Sequence, residues 1–529
     1  MISPAINGKK ITNFLLIGIS IVFTFIGILG IKKFYFAKNT NNLILPEQVC
    51  KNCNILLIDV DILRADALPC YGYFRNTAPN ICNFASKSVL FKDNYSSSIW
   101  TLPSMFTTIT GLNPPFHRVR TGMDKLYSNL PTLAESLKKQ GYKTIFLNQD
   151  GSREVLINSY NGGLRGYDLV TNDPIEDVLA NLSKSPQPWF IHYYRGDLHL
   201  PYLIKEGSTP IENLTPPKDF PITKFEFHQL LSKYLKSHRL DVFTKKALND
   251  YSQYFNNIDL GSTNLATLFY EFALDPQKRG DYLSDIWAPV ENSYLSPINP
   301  QKKSDLAFIR MMYDSVIREF DQNIAPLLTQ ITSGTYAKNT ITIMMSDHGE
   351  TFGEHGTFSH DNNHFSELFY TPLIIYSPKL TPTEVNHTSG NIDIYPTLLS
   401  LIGTTAPLEI QGKSLTPYLS KTDFDPSVFA YGEDFGAGTV LQNNRWLYFL
   451  PPNPKGIDSS ELYNKIFDPL EKNNVYLKYP IMTQLLFNKA TLFQSYDTTL
   501  KNTGETIPSY GGTKLTPEKI IRLKKEGYF

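Results

Sequence analysis

At 529 residues the chain has room for one large α/β domain carrying insertions, or for two smaller domains. Lysine plus arginine number 50 and aspartate plus glutamate number 50, so no bulk field marks the chain for nucleic acid or for an anionic surface. Aromatic residues make up 13%, which suits a packed core or a carbohydrate- or lipid-facing cleft and does not separate the two.

The first element is apolar. Residues 14–31, FLLIGISIVFTFIGILGI, carry no charge and are bracketed by Lys9–Lys10 and Lys32–Lys33. A helix that crosses a bilayer needs ~20 such residues. A cleaved signal has a shorter apolar stretch and a small-residue cleavage site, which GIKKFYFAKN does not offer. The reading is a short tail at 1–13, a retained single-pass anchor at 14–33 and a polar linker at 34–52. The rest is predicted to be soluble and to lie outside the cytoplasm, periplasmic or extracellular, because only a short tail precedes the anchor. The four cysteines, Cys50, Cys53, Cys70 and Cys82, follow closely. A Cys-x-x-Cys pair with two more can be read as zinc ligands, as one or two disulfides, or as unpaired thiols, and no chemistry is assigned to them.

From residue 53 onward, strands and helices alternate. NILLIDV ends in acids and reads as a buried strand. PTLAESLKKQGYKTIFLNQD (131–150) reads as helix, glycine stop, strand, and PWFIHYYRGDLHLPY (188–202) as an apolar strand with a polar end. Residues 306–334 form a long amphipathic helix, and NTITIMMSDHGETFGEHG (339–356) is a strand opening into a His- and acid-rich loop. TPLIIYSP and DIYPTLLSLIG add a further strand and helix. This alternation predicts an α/β catalytic domain over 53–424 with a mixed, mainly parallel sheet flanked by helices, polar residues gathering at strand carboxyl ends. Residues 203–300 read as an insertion shaping the pocket, and 425–529 as a small α+β subdomain with a tail.

Four strand ends carry chemistry: Asp61, Thr101, Asp197 with His199, and Asp347 with His348. Two carboxylates, a hydroxyl and an imidazole can hold one divalent cation, and coordination makes a hydroxyl nucleophilic. Singly, each has a plainer explanation: Thr101 as a helix N-cap, the aspartates as turn residues, the histidines as packing or surface groups. Their conjunction in this order favours a site.

In that order the stretches resemble the sulfatase family of the alkaline phosphatase superfamily, over roughly residues 53 to 480. SDHGETFGEHGTFSH is the most specific match. HYYRGDLHLPY is similar to the family's Asp-Pro-His-x-Pro-Tyr strand end, YDSVIREFDQNIAPLL to the helix before the metal strand, and NRWLYF with ELYNKIFDPLEKNNV to the C-terminal subdomain. The resemblance implies an alkaline-phosphatase/sulfatase-like fold. It also implies metal ligation by Asp61, Asp347 and His348, a nucleophile at Thr101, and substrate binding or leaving-group protonation by His199, His355 and His360. Arg120 falls near an assisting basic position, while Arg64 and Asp66 fall at structural ones.

Three departures from the pattern bear on function. Sulfatases carry Cys or Ser-x-Pro-Ser-Arg, whose first residue is oxidised to formylglycine; here the stretch is Thr101-Leu102-Pro103-Ser104-Met105. Oxidising threonine would give a ketone. A second metal aspartate is replaced by Ile62, which points to zinc or manganese ahead of calcium or magnesium. Asp59, on the same strand face as Asp61, reads as a paired buried acid or an extra ligand. These departures resemble the threonine-nucleophile, phosphotransferase- or phosphodiesterase-like branch of the superfamily, and that resemblance implies a membrane-anchored enzyme that cleaves or transfers a phosphoester or phosphodiester group, such as a lipid head group or glycan ester, through a metal-activated Thr101. Two alternatives stand beside it: a sulfatase lacking formylglycine, and an inactive sulfatase-like binding protein.

Overall fold

The computed structural model describes residues 50–503 except 122–123, 149–156, 160, 185, 206, 228, 231–293, 300, 361–362, 420–424, 435 and 437, together with 509–510 and 513–514. The anchor read at 14–33 and most of the insertion read at 203–300 lie outside the described residues. Among those described, no helix is long and apolar enough to cross a membrane.

Eight strands make the central sheet: β1 (Asn54–Val60), β2 (Val89–Phe91), β3 (Lys143–Asn148), β4 (Leu169–Thr171), β5 (Trp189–Arg195), β6 (Thr340–Ser346), β7 (Leu373–Tyr376) and β8 (Thr383–Val385). Their spatial order is β8-β2-β7-β6-β1-β5-β3-β4. Only β7 runs against its neighbours, so the sheet is mixed and mainly parallel. The strands at its centre, β1, β5 and β6, are buried along nearly their whole length. That is why they read as continuous apolar runs and not as alternating ones.

Around the sheet lie α1 (Pro79–Ala85), α2 (Thr101–Thr110), α3 (Leu133–Lys139), α4 (Ile175–Leu182), α5 (Lys303–Thr332) and α6 (Ile394–Leu401). Side chains of β1 alternate between two cores. Leu56, Ile58 and Val60 pack with Phe308, Met312 and Val316 of α5, while Ile55 and Leu57 pack with Ile394, Leu398 and Leu401 of α6. Asp59 and Asp61 continue the second face by strand periodicity. Pro326 interrupts the hydrogen-bond ladder of α5, a cost of ~3 kcal/mol. Burial of Ile324, Leu327, Leu328 and Ile331, at roughly 1.5–3 kcal/mol each, outweighs it. The start of α3 follows from local chemistry: the Thr132 hydroxyl accepts the Glu135 amide, and the Glu135 carboxylate accepts the Thr132 amide.

Beyond the main sheet, β9 (Ala430–Glu433), β10 (Thr439–Gln442), β11 (Trp446–Leu450) and β12 (Glu461–Asn464) form an antiparallel meander. The helix α7 (Pro480–Thr503) covers it through Leu486 and Ala490. The described residues belong to one compact unit. The cysteines pair as two disulfides, Cys50–Cys53 and Cys70–Cys82. Arg64 and Asp66 are structural, as read: the Arg64 guanidinium binds Asp66 at 2.6 Å and Glu354 at 2.9 Å.

Candidate active site

Strands β1 and β6 are parallel neighbours with Val60 opposite Ser346. The next residue on each is therefore a carboxylate beside a carboxylate: Asp61 and Asp347. A ligand site at this carboxyl edge follows the rule for open α/β sheets. Both aspartates are fully buried, as is His348. The Asn391 amide binds the carbonyls of Ser346 and Asp347 and holds this turn.

Thr101 comes from the side. It is the first residue of α2, with Trp100 in the extended N-cap conformation and no side-chain cap bond. The N-cap explanation therefore fails. The hydroxyl donates to Asp61 Oδ1 at 3.4 Å and lies 3.3 Å from His348 Nε2. Pro103 sits within the first turn, where a missing N–H has no intrahelical partner to lose.

His348 is oriented by its backbone. Its Nδ1 lies 2.8 Å from the Gly349 carbonyl. That bond requires a proton on Nδ1, so the lone pair of the neutral ring sits on Nε2. Nε2 faces Asp61 Oδ1 at 3.4 Å and Asp347 Oδ2 at 3.7 Å. Asp347 Oδ1 is satisfied by the amides of Ile62 and His348, whereas Oδ2 is buried without a partner. Burial pushes the Asp347 carboxyl well above the usual range, and the charges of Asp61 and Asp59 push it further. A lone pair aimed at two carboxylates, one with an orphan oxygen, is repulsive on its own and attractive around a cation. Asp61, Asp347 and His348 could hold a metal ion, each offering a donor within 4.8 Å of the others.

The remaining predicted residues divide. His360 and His199 join the cluster: the His360 ring lies 4.9 Å from that of His348 and 5.4 Å from that of His199, centroid to centroid. His199 Nδ1 contacts the Leu200 carbonyl at 2.9 Å, which fixes its ring. His355 falls in a different group of side chains. Its backbone is in the left-handed region (φ 53°), its ring stacks on Phe365, and its Nε2 faces Glu367 at 3.5 Å. With Glu367 and Glu471 it makes a second cluster; burial acts to lower its pKa, but the Glu367 carboxylate prevails and raises it. The Arg120 guanidinium forms a two-point ion pair with the buried Glu433 of β9. Asp197 pairs with Arg195.

Asp59 is the paired acid: His192 Nε2 lies 3.3 Å away, and burial raises the Asp59 pKa against that imidazole. Ile62, where a second aspartate was looked for, adopts φ 52°, a left-handed conformation rare for a β-branched residue. Its amide binds Asp347 and its carbonyl accepts the Tyr313 hydroxyl, contacts that hold the strained turn in place.

Two residues at the cluster escaped the sequence reading. The Tyr194 hydroxyl donates to Asp61 Oδ2 at 2.7 Å and fixes the direction of that carboxylate. Its signal lies in strand register, because Tyr194 stands opposite Asp59. Glu350, inside SDHGE, is fully buried beside His360.

Two carboxylates and an imidazole that could hold a cation, a hydroxyl against them and two imidazoles close by fit a hydrolase of α/β architecture. The sulfatase family matches residues 53–404, and the N-sulphoglucosamine sulphohydrolase C-terminal family matches residues 353–491; the chain belongs to the sulfatase family. Arylsulfatase K of Xenopus laevis is 23% identical over 448 residues, covering 78% of this chain and 77% of that protein. N-acetylglucosamine-6-O-sulfatase of Bacteroides thetaiotaomicron is 23% identical over 480 residues, covering 81% and 83%. A solved structure described as a complex with its substrate D-glucosamine-2-N,6-O-disulfate shares the fold, with TM-score 0.58 and 19% identity over 87% of this chain and 100% of that one.

These relatives overturn the phosphoester expectation. The chain aligns along most of its length with sulfatases, and both family matches are to sulfate-ester or sulfamate hydrolases. The physical reason for the error is that a threonine beside a cation suits any tetrahedral oxyanion. Residue type at position 101 does not separate sulfur from phosphorus.

Proposed function

We propose that the protein is a metal-dependent sulfate-ester hydrolase acting on sulfated glycans, amino sugars above all. One observation carries the reading: sulfatase family matches run from 53 to 491 in a chain that retains the buried Asp61, Asp347 and His348 beside Thr101. The sugar class is supported by the glucosamine named for one relative and for the structural neighbour.

The donor set fits a divalent cation held by Asp61, Asp347 and His348, with the Thr101 hydroxyl adjacent. Charge decides this. A sulfate monoester is an anion and would be repelled by two buried carboxylates, so neutralisation at that point is a condition of binding. A divalent ion held there by Asp61, Asp347 and His348 would supply Lewis acidity to a bound sulfuryl group. With only these donors, zinc or manganese needs fewer added oxygens than calcium, which takes 6–8.

Thr101 cannot become an aldehyde, and a sulfated threonine would be an ordinary alkyl sulfate with no neighbouring hydroxyl to expel the group. Attack by water avoids that dead end. The Thr101 hydroxyl donates to Asp61 Oδ1 and presents its lone pairs to an O–H of the attacking water. Water's oxygen bonds to sulfur, the bond from sulfur to the sugar oxygen breaks, and that oxygen takes a proton from an imidazolium at His360 or His199. The products are sulfate, the free alcohol and, after the histidine is reprotonated by solvent, one proton.

The two disulfides suit an oxidising compartment. With the uncharged run at 14–31 they support a catalytic domain held outside the cytoplasm by an N-terminal anchor. Ion chromatography of free sulfate released from glucosamine 6-sulfate and N-sulfoglucosamine tests the activity. Release by wild type and none by Asp347→Asn supports it; no release from any sulfated sugar by cation-replete protein contradicts it.

A further inference from the structure

We infer that Glu350 is the positioning residue for His360, holding that ring so that its Nε2 is presented to the leaving-group oxygen. The inference rests on the hydrolase reading above and deepens it.

Local structure creates the pair. Thr351–Phe352 and Phe358–Ser359 form a short antiparallel hairpin with Thr351 opposite Ser359. One step outward along that register, Glu350 meets His360. Antiparallel partners stand ~4.5–5.5 Å apart at Cβ, within reach of a carboxylate and an imidazole. Accordingly, Glu350 Oε1 lies 3.4 Å from His360 Nδ1. Ser359, immediately before the histidine, is in the left-handed region (φ 62°), and its carbonyl is clamped by the Thr351 hydroxyl. A strained residue held by its neighbours at this point indicates that the direction of the next side chain is under constraint.

Glu350 itself is anchored on two sides. Tyr202, from the same stretch as His199, donates its hydroxyl to Oε2 at 3.0 Å. Arg64 donates to the Glu350 carbonyl at 2.8 Å. Oε1 has no hydrogen bond of good geometry although it is fully buried. A buried carboxylate oxygen left so costs ~1–3 kcal/mol or more, and the group facing it is Nδ1 of His360. The Ser359 hydroxyl shares that nitrogen at 3.3 Å. With Nδ1 engaged on this side, Nε2 is on the opposite edge of the ring, and the ring neighbours those of His348 and His199. A catalytic imidazole oriented by a carboxylate is the general arrangement for fixing tautomer and direction.

The test is a double-mutant cycle of Glu350→Ala and His360→Ala, read as kcat and KM on whichever ester, sulfate or phosphate, wild type turns over. That choice separates the cycle from the identity of the substrate. Glu350→Ala is expected to lower kcat about 10–100-fold with KM within a few fold, the range for partners that orient a catalytic ligand or base. In the His360→Ala background it should change kcat less than about 2-fold, because the group it acts through is gone. Equal losses in both backgrounds would overturn the inference, as would an unchanged kcat in the single variant. Glu350→Gln keeps size and one acceptor and should retain more kcat than alanine, which guards against misfolding of the alanine variant. A readout free of turnover is the ¹⁵N spectrum of the His360 ring in full-length wild type and Glu350→Gln. A shift in tautomer balance is expected, and identical spectra would count against the pairing.

Discussion

The Thr101 hydroxyl stands 3.3 Å from Nε2 of His348, the one residue opening a helix and the other lying just past the end of a strand. In the proposed reaction Thr101 orients water and is not itself consumed. Thr101→Ser should keep at least a tenth of wild-type kcat, whereas Thr101→Val, which keeps the shape and removes the hydroxyl, should lose about 10²-fold or more, the scale of one well-placed polar contact in a transition state. Intact-protein mass spectrometry during turnover should show no protein carrying an added sulfuryl group. A stoichiometric adduct on Thr101 would replace water with threonine as the nucleophile.

Asp347 and Asp61 repel each other in the absence of a cation, and Asp347 Oδ2 has nothing to bind. In EDTA, Asp347→Asn should raise the melting temperature above that of wild type, since a neutral amide removes one of two like charges from a dry site. Adding a divalent cation at a hundred times its Kd should stabilise wild type by ~2.7 kcal/mol and leave the variant unmoved. Differential scanning fluorimetry with and without metal reads both effects.

His117 is buried, and burial first, then the Arg120 charge, pushes its pKa down to about 3. Between that value and ~6.5 the unfolded chain binds the proton and the folded chain does not. Stability contributed by the neutral ring is therefore complete above about pH 6.5 and is lost as pH falls, by ~3 kcal/mol at pH 4. His117→Asn should flatten the denaturant midpoint over pH 4–6.5. Parallel curves for the two proteins would show that His117 does not set the slope.

Arg120 pairs with Glu433, whose side chain is 4% exposed. Removing the arginine leaves a buried carboxylate that keeps the Tyr431 hydroxyl but has lost this counter-charge, a loss of ~3–5 kcal/mol. Arg120→Ala should thus lower stability while KM for a sulfated sugar stays within a few fold, and adding Glu433→Ala should restore part of the stability. An increase in KM of ten-fold or more in a folded variant would return Arg120 to the substrate.

What was legible in the sequence was what strands and local spacing dictate. Asp61 and Asp347 follow apolar runs and so were placed at carboxyl ends of parallel strands, where their adjacency needed only a register. Thr101 and His348 came with them. The surroundings of His355 were not legible, because its direction depends on a left-handed turn and on stacking with Phe365, neither of which its neighbours in the chain announce. Nor was the Arg120 ion pair, because Glu433 is brought to it from a strand of the C-terminal meander, far along the chain. Tyr194 and Glu350 were visible as letters, but their roles emerge only from pairing across strands. The reacting element was misjudged for a different reason: position 101 reports a hydroxyl, and a hydroxyl is compatible with more than one oxyanion.

The most direct measurement supplies the cation-loaded full-length protein with the 6-sulfate and the 6-phosphate of the same glucosamine and compares kcat/KM for anion release by ion chromatography. The account predicts faster sulfate release by at least ten-fold, abolished by His348→Ala. Faster phosphate release, or sulfate release indifferent to His348, would contradict it.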